Sequence, residues 1–569
     1  MQRRTSVLTA LALAVGLAVT TPASPAVAAG NTLTVDVGTA VRPVTHVGAG
    51  GLYSVGSDSR PTTEQLLPLS VNQFTQPPPG TTHLGNGATE PCCSGLDVAA
   101  NITRAGGQQF LRLPDVFPTF PYQWTSWEDW EGKVRQMVQA RLAATTTTNI
   151  NGYELWNEPD LTWQPDRAGP YLDGWTRTHR LVRSLDPVTP IVGPSFTHYE
   201  RALMEPFLRH ARDTNTLPDV VVWHELYDMG WNGLGDRIAE YRSIERELGI
   251  SPRPISINEY GSPAQVDIPS AAVHWLSVFE RYDVRDAQRA YWYEAGTFDG
   301  LFTTSGQPTA SYWAYRWYGS MSGNVVRTTP QSWLDGVASY DASRQVVTTV
   351  FGGDSGSNTV RLTGLGSFGS QVRVTLDSTP GTGRNTAVAA ATRVSSTTYP
   401  VVNGVVTVPV QGMSAESAYQ LVVTPVNGPT TPFQQVYEAE NSTVVNAATR
   451  TSPSASNGAY VGGIDGSGDA RRDSFVDFVV NVPEARSYSL SIRYANGTGA
   501  TATQSLATNG GPFRTVSYPP TGAWGSFGAA AATQQVTLRA GYNVIRLAKG
   551  SPFATGGTGF AELDSITVR

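Results

Sequence analysis

Cysteine is nearly absent from this 569-residue chain, which has only Cys92 and Cys93, side by side. No long-range disulfide framework can form within one chain from two adjacent cysteines. In an oxidising compartment they form either a strained vicinal disulfide or two reduced, buried thiols, and the sequence leaves both open. Charge is also scarce, at 15% Asp, Glu, Lys and Arg, with a formal net charge of −6. That excludes the basic footprint by which proteins hold nucleic acid or anionic lipid. Beyond the first thirty residues, no apolar run is long enough to suggest a membrane-spanning helix.

The chain is rich in aromatics, with 14 Trp, 23 Tyr and 18 Phe. They suffice for a large core and leave rings over for flat binding surfaces. Low charge with many rings suits a neutral, polyhydroxylated partner. Gly (57) and Pro (38) favour loops and tight turns. At roughly 100–200 residues per domain, the length predicts three or four units.

The first residues read as an export signal over 1–29. Arg3 and Arg4 precede an apolar run from Val7 to Val19, and small residues close it at Ala26-Val27-Ala28-Ala29. A membrane anchor is the alternative, and the pair of arginines leaves the export route open. The expectation is a secreted, extracellular protein that meets no membrane.

From Val44 to Trp317, strand-like and helix-like stretches alternate. The strands expected late in this region are Tyr153–Trp156, Pro190–Gly193, Val220–His224, Pro254–Asn258 and Ala290–Tyr293. They recur at the length of a βα unit, roughly 30 residues or slightly more. Helical patterns such as Trp127–Leu142 and Ala271–Tyr282 lie between. The alternation predicts a parallel sheet, with a (β/α)8 barrel over 30–324 ahead of a doubly wound alternative. Short alternating runs over 325–426 predict a β-sandwich, which the strand at 31–37 is placed to join. A Pro/Thr linker follows at 427–435, and a second all-β region fills 436–569.

The chemistry concentrates in Tyr153-Glu-Leu-Trp-Asn-Glu-Pro-Asp160, where an apolar strand runs into Glu158. Ile255-Ser-Ile-Asn-Glu-Tyr-Gly261 repeats the situation at Glu259, about a hundred residues on. That distance is about three βα units. It puts the glutamates at the ends of strands four and seven, facing across the barrel mouth, where such barrels carry their sites. Two facing carboxyl groups suit cleavage of a glycosidic bond. One donates a proton to the leaving oxygen, and the other attacks or stabilises the positive anomeric centre.

The string Tyr153–Asp160 resembles the acid/base signature of clan A glycoside hydrolases, and is most similar to that of family 39. The resemblance spans roughly residues 40–425. It implies a (β/α)8 barrel, a retaining double displacement, Glu158 as acid/base, Glu259 as nucleophile, and Asn157 bonded to the sugar 2-hydroxyl. The string Asn258-Glu259-Tyr260-Gly261 departs from the family 39 nucleophile pattern. The implied substrates are plant cell-wall side chains such as arabinosides, xylosides or galactosides.

Further candidates follow from position. Arg112 ends an early strand, Phe110–Pro114, and either holds the nucleophile ionised or makes a structural ion pair. His224 is placed to contact sugar or Glu158, or to be a satisfied barrel histidine. Tyr227 is expected either to donate to Glu259 or to be an ordinary loop tyrosine. Trp292, on the expected last strand, is either a hydrophobic floor under the sugar or core.

In the C-terminal region, Val436-Tyr-Glu-Ala-Glu-Asn441 carries Glu438 and Glu440 on one strand face, and Asp564 lies near the chain end. Three converging carboxylates suit a hard cation such as Ca²⁺; the alternative is solvated strand-edge charge. The region resembles carbohydrate-binding modules of families 35 and 6 through Tyr460–Asp465, Arg493–Gly497 and Trp524. The resemblance implies a structural calcium at Glu438, Glu440 and Asp564. It places Asn496, Tyr460 and Trp524 near the sugar-binding loops. The expectation is a monomeric glycosidase needing no catalytic cofactor, with a polysaccharide or oligosaccharide as partner. The alternatives are a glycan-binding adhesion protein with a vestigial barrel, and a transglycosidase using the same residues.

Overall fold

A computed structural model describes residues 30–569 except 58–59, 86–90, 283, 427–432, 466–473, 483–484 and 550–556. The expected export signal at 1–29 and most of the expected linker therefore lie outside the described residues. No described helix is long and apolar enough to cross a membrane.

The first strand, β1 (Thr32–Pro43), precedes a closed barrel of eight strands in sequential order. They are β2 (Gly50–Leu52), β3 (Gln73–Gln76), β4 (Gln108–Arg112), β5 (Ile150–Glu154), β6 (Ile191–Phe196), β7 (Val220–Trp223), β8 (Ile255–Tyr260) and β9 (Asp286–Arg289). All neighbours pair in parallel, and β2 closes the ring on β9 by Gly50 opposite Gln288. Only glycine fits at position 50. A Cβ there would meet the Gln73 carbonyl at 2.4 Å and the Ala287 carbonyl at 2.6 Å.

Helices follow from the 3.6-residue period. Trp127–Ala143 buries Trp130, Val134, Met137 and Val138 on one face, and the Ser126 hydroxyl caps it by accepting from Asp129 N–H. The early connections hold only short helices, Thr63–Leu66 and Ala99–Arg104.

The last barrel strand differs from expectation. It is Asp286–Arg289, and Ala290–Tyr293 with Trp292 forms the loop beyond it. The polar string reads as a loop, yet its side chains are paired inside the protein. Ser256 donates to Asp286 at 2.5 Å, and the Arg289 guanidinium donates to the Val266 and Asp299 carbonyls. Hydrogen bonding offsets burial that the charges alone would forbid.

Beyond the barrel, β1 enters a nine-stranded sheet with eight strands drawn from 324–425. It pairs antiparallel with Asn324–Thr329 and parallel with Gly356–Thr363. The sheet encloses a core of its own around Leu33, Val35, Phe351, Leu362 and Leu421. Residues from Gln435 to Val568 form six- and five-stranded sheets packed face to face. This C-terminal unit rests on the barrel through the Tyr542 and Trp313 rings, 5.1 Å apart.

Candidate active site

Strand β5 ends at Glu154, and four residues later the chain turns sharply at Glu158. That residue has φ 50° and ψ 55°, a left-handed conformation unfavourable for any residue with a Cβ. The turn is fixed from several sides. Glu158 N–H donates to the Ser195 carbonyl at 2.8 Å, and Pro159 opens the short helix Pro159–Thr162. Beneath lies a tryptophan cluster, with Trp156 4.8 Å from Trp163 and 5.2 Å from Trp130 between ring centroids. Trp124 and Trp130 belong to this packing.

Glu259 lies on β8, the seventh barrel strand, opposite Glu158 at the end of the fourth. One oxygen of each carboxylate and one His224 nitrogen all lie within 4.8 Å of one another. Arg112 Nη1 donates to Glu259 at 2.6 Å, while its Nε donates to Glu154 at 2.7 Å. Asn258 also donates to Glu154, at 2.7 Å. His224 Nδ1 lies 3.0 Å from Glu158 Oε1, and its Nε2 is 3.7 Å from Glu259 Oε1.

The electrostatics follow from burial and pairing. Burial pushes the Glu259 carboxyl above its ordinary value, although the charges of His224 and Arg112 pull the other way. Burial also acts on Glu158, but the His224 hydrogen bond and charge, with Arg112, outweigh it and hold Glu158 below its ordinary value. Burial lowers His224, yet Glu259 and Glu158 together outweigh that and raise it. The three groups thus titrate as one coupled set, in which the carboxylates favour the charged imidazole and the imidazole favours a charged Glu158. The same three groups offer ligand atoms for a metal ion, but the Arg112 guanidinium on Glu259 already supplies a fixed positive charge there.

Both glutamates line a cavity of about 280 Å³. Arg112, Asn157 and Trp292 line it too, and the buried Asn157 Oδ1 has no hydrogen-bond partner among the described residues. His224 is fully buried behind the carboxylates and touches them rather than the cavity. Tyr227 does not reach Glu259. Its hydroxyl pairs with Glu225, its ring lies under Arg237, and it is exposed, because the chain after His224 turns outward.

Several wall residues carry no sequence signal. Tyr53 and Tyr122 both donate to the buried Asp115, and Tyr53 lies 6.0 Å from the Arg112 guanidinium. His83 enters from the Pro/Gly-rich loop that also carries the Cys92–Cys93 bond. These residues come from separate loops, so no spacing links them.

In the C-terminal unit, the Asp564 carboxylate lies close enough to raise both Glu438 and Glu440, and Glu438 also raises Glu440. Burial, with the other two carboxylates, pushes Glu440 up to about 7, and its Oε2 is buried without a partner. Asp564 also takes the Arg493 guanidinium at 2.5 Å. Trp524 is exposed and lies over Gly497, with Tyr460 mostly buried nearby. The Asn496 amide is spent on its own loop. It is fully buried, donating to the Ala500 and Tyr518 carbonyls and accepting from Thr498, so it shapes the loop.

Comparisons agree with this geometry. Residues 435–569 match the model of Carbohydrate binding module (family 35). A 3-O-α-D-galactosyl-α-L-arabinofuranosidase of Bifidobacterium longum subsp. longum is 27% identical over 85% of this chain and 49% of its own length. A 3-O-β-L-arabinopyranosyl-α-L-arabinofuranosidase of Bifidobacterium pseudocatenulatum is 27% identical over 69% of this chain and 47% of its own. The chain thus spans about half the length of the curated relatives it matches. The solved structure of N2152 from Neocallimastix frontalis is 31% identical, with a TM-score of 0.65, over 70% of this chain and all of that one.

An eight-stranded parallel barrel with two carboxyl groups facing across its mouth, joined to a C-terminal region that matches family 35 carbohydrate-binding modules, defines the class: a barrel protein with a paired-carboxylate site and a carbohydrate-binding module. Within that class, the chain belongs to the same family as N2152 of Neocallimastix frontalis.

Proposed function

We propose that this is a secreted, retaining glycosidase that hydrolyses α-L-arabinofuranosidic bonds in plant cell-wall side chains, with Glu158 as acid/base and Glu259 as nucleophile. The observation that carries the reading is the separation of the two carboxylates, with oxygens within 4.8 Å. Retaining enzymes hold the groups about 5–5.5 Å apart, whereas inverting ones need about 6.5–9.5 Å to admit a water. The names of the two bifidobacterial relatives support the arabinofuranosidic bond.

The resting proton on His224 moves across the 3.0 Å contact to Glu158. That leaves a neutral acid at Glu158, a neutral imidazole, and an ionised Glu259 held by Arg112. Glu259 attacks the anomeric carbon while Glu158 gives its proton to the departing oxygen. The glycosidic bond breaks and a glycosyl ester forms on Glu259. Glu158, now ionised, takes a proton from water; the water oxygen attacks the anomeric carbon and frees Glu259. Asn157 Oδ1 accepts from a sugar hydroxyl, and Trp292 bounds the sugar's apolar face.

The stretch at 1–29 directs export, and the chain acts as a monomer on polysaccharide or oligosaccharide. A calcium ion held by Glu438, Glu440 and Asp564 stabilises the C-terminal module; the unpartnered Glu440 Oε2 fits that role. Two variants and one spectrum test the catalytic reading. Glu158→Ala and Glu259→Ala should each abolish hydrolysis of arabinofuranosyl oligosaccharides with thermal unfolding unchanged. NMR should show the first-formed product with the substrate's anomeric configuration. Wild-type turnover by Glu259→Ala, or inversion, overturns the assignment.

A further inference from the structure

Arg316 lies on the last barrel helix, Ala310–Gly319, beneath the C-terminal module. The residue is part-buried, and its guanidinium donates to the Tyr312 hydroxyl at 2.9 Å. Its electrostatic neighbours are the hydroxyls of Tyr312, Tyr542 and Tyr437, and among the described residues no carboxylate lies in ion-pair range. Burying a guanidinium without an anion is unfavourable, so buried arginines are ordinarily paired.

The group opens onto a cavity of about 460 Å³ at the junction of barrel, nine-stranded sheet and C-terminal module. Among the described residues its charged lining is Arg316 and Arg344, and the rest of the polar lining is hydroxyl and amide, including Ser322, Gln420 and Asn481. The Arg344 side chain makes one long contact, 3.4 Å to the Ser322 hydroxyl, while its backbone N–H donates to Asp341 Oδ1 at 3.1 Å. A smaller cavity of about 230 Å³ shares Arg316 but carries Glu64, Glu438 and Asp477. Those carboxylates would repel an anion, which leaves the side lined by Arg316 and Arg344 for a carboxylate. The larger volume lies within the range of small-ligand pockets. Two cations for a carboxylate, with hydroxyls and amides for sugar hydroxyls, make the chemistry of an acidic saccharide.

We propose that this junction is a second carbohydrate site, separate from the catalytic cavity, that binds a uronate-bearing oligosaccharide through Arg316 and Arg344. It tethers the enzyme to acidic stretches of the glycan whose neutral side chains it trims. The tethering clause rests on the proposed catalytic reading; the binding does not.

Calorimetry on the full chain tests the site with digalacturonate, the neutral galactobiose, and inorganic phosphate as separate probes. Digalacturonate should bind at least tenfold more tightly than either of the others. Glu259→Ala and Glu440→Gln should leave that binding intact, which separates it from the active site and the calcium site. Arg316→Gln should weaken it tenfold or more, and Arg344→Gln, at the exposed rim, severalfold with an unchanged melting temperature. Turnover of an aryl arabinofuranoside should stay at the wild-type level in both. Equal affinity for acidic and neutral sugars, phosphate binding as tight as digalacturonate, loss of binding in Glu440→Gln, or full affinity in Arg344→Gln would each overturn the proposal. If Arg316→Gln does not fold, Arg344→Gln with the probe series decides alone.

Discussion

Five side chains set the charge of the active site, and each has a partner that explains its state. Arg112 joins Glu154 to Glu259, so losing it strands two buried carboxylates. His224 joins Glu158 to Glu259, and in the proposed mechanism it holds the proton that Glu158 donates. The pH dependence follows from the raised value of His224. Its proton persists above the ordinary 6.5, so the basic limb of kcat/KM should lie above pH 6.5. In His224→Gln the last proton must rest on a carboxyl group, and the basic limb should move toward acid while kcat falls. A pH–rate series on both proteins measures this, and an unmoved basic limb rejects the relay. Glu158 and Glu259 were legible in the sequence because each follows an apolar strand. Tyr53, Asp115 and His83 were not, because hydrogen bonds between distant loops place them.

At the scale of elements, the period of the sequence carried most of the barrel. Long apolar strands such as Val220–Trp223 stood out because parallel strands are buried on both faces. The last barrel strand did not, since Asp286, Gln288 and Arg289 resemble loop residues until their partners are known. Asn496 shows a different limit of the sequence, because its amide is spent on hydrogen bonds within its own loop that no local pattern displays. The three carboxylates of the C-terminal module yield a prediction here. Glu440 is raised to about 7, so the folded module favours its protonated form. Without a cation, its stability should fall as pH rises from the unfolded value of 4.5 through about 7. Calcium should reverse the loss, raising the melting temperature by several degrees at pH 8 and much less at pH 5. Scanning fluorimetry with calcium or chelator reads this, and Glu440→Gln should abolish the calcium response.

Across the whole molecule, three units share interfaces. β1 precedes the barrel in the chain yet pairs in the sheet that follows it, tying the two into one body. Tyr542 seats the C-terminal module against Trp313. Tyr542→Ala should lose about 3 kcal/mol at that contact, as large-to-small changes at buried rings do. Calorimetry should then resolve a separate, earlier transition for the module. One shared transition at the wild-type temperature would mean that the units do not support each other there.

Local pattern by itself determined the class of the fold, the two glutamates and their positions at strands four and seven. Strand period, apolar burial and the Asn-Glu-Pro turn all act within a few residues of one another. Tertiary structure alone decided the carboxylate separation, the contact of His224 with both glutamates, the pairing of Arg112 with both Glu154 and Glu259, and the position of Arg316 away from any described carboxylate. Those depend on groups far apart in sequence meeting in a medium of low dielectric, where distance and burial, rather than residue type, set the charge.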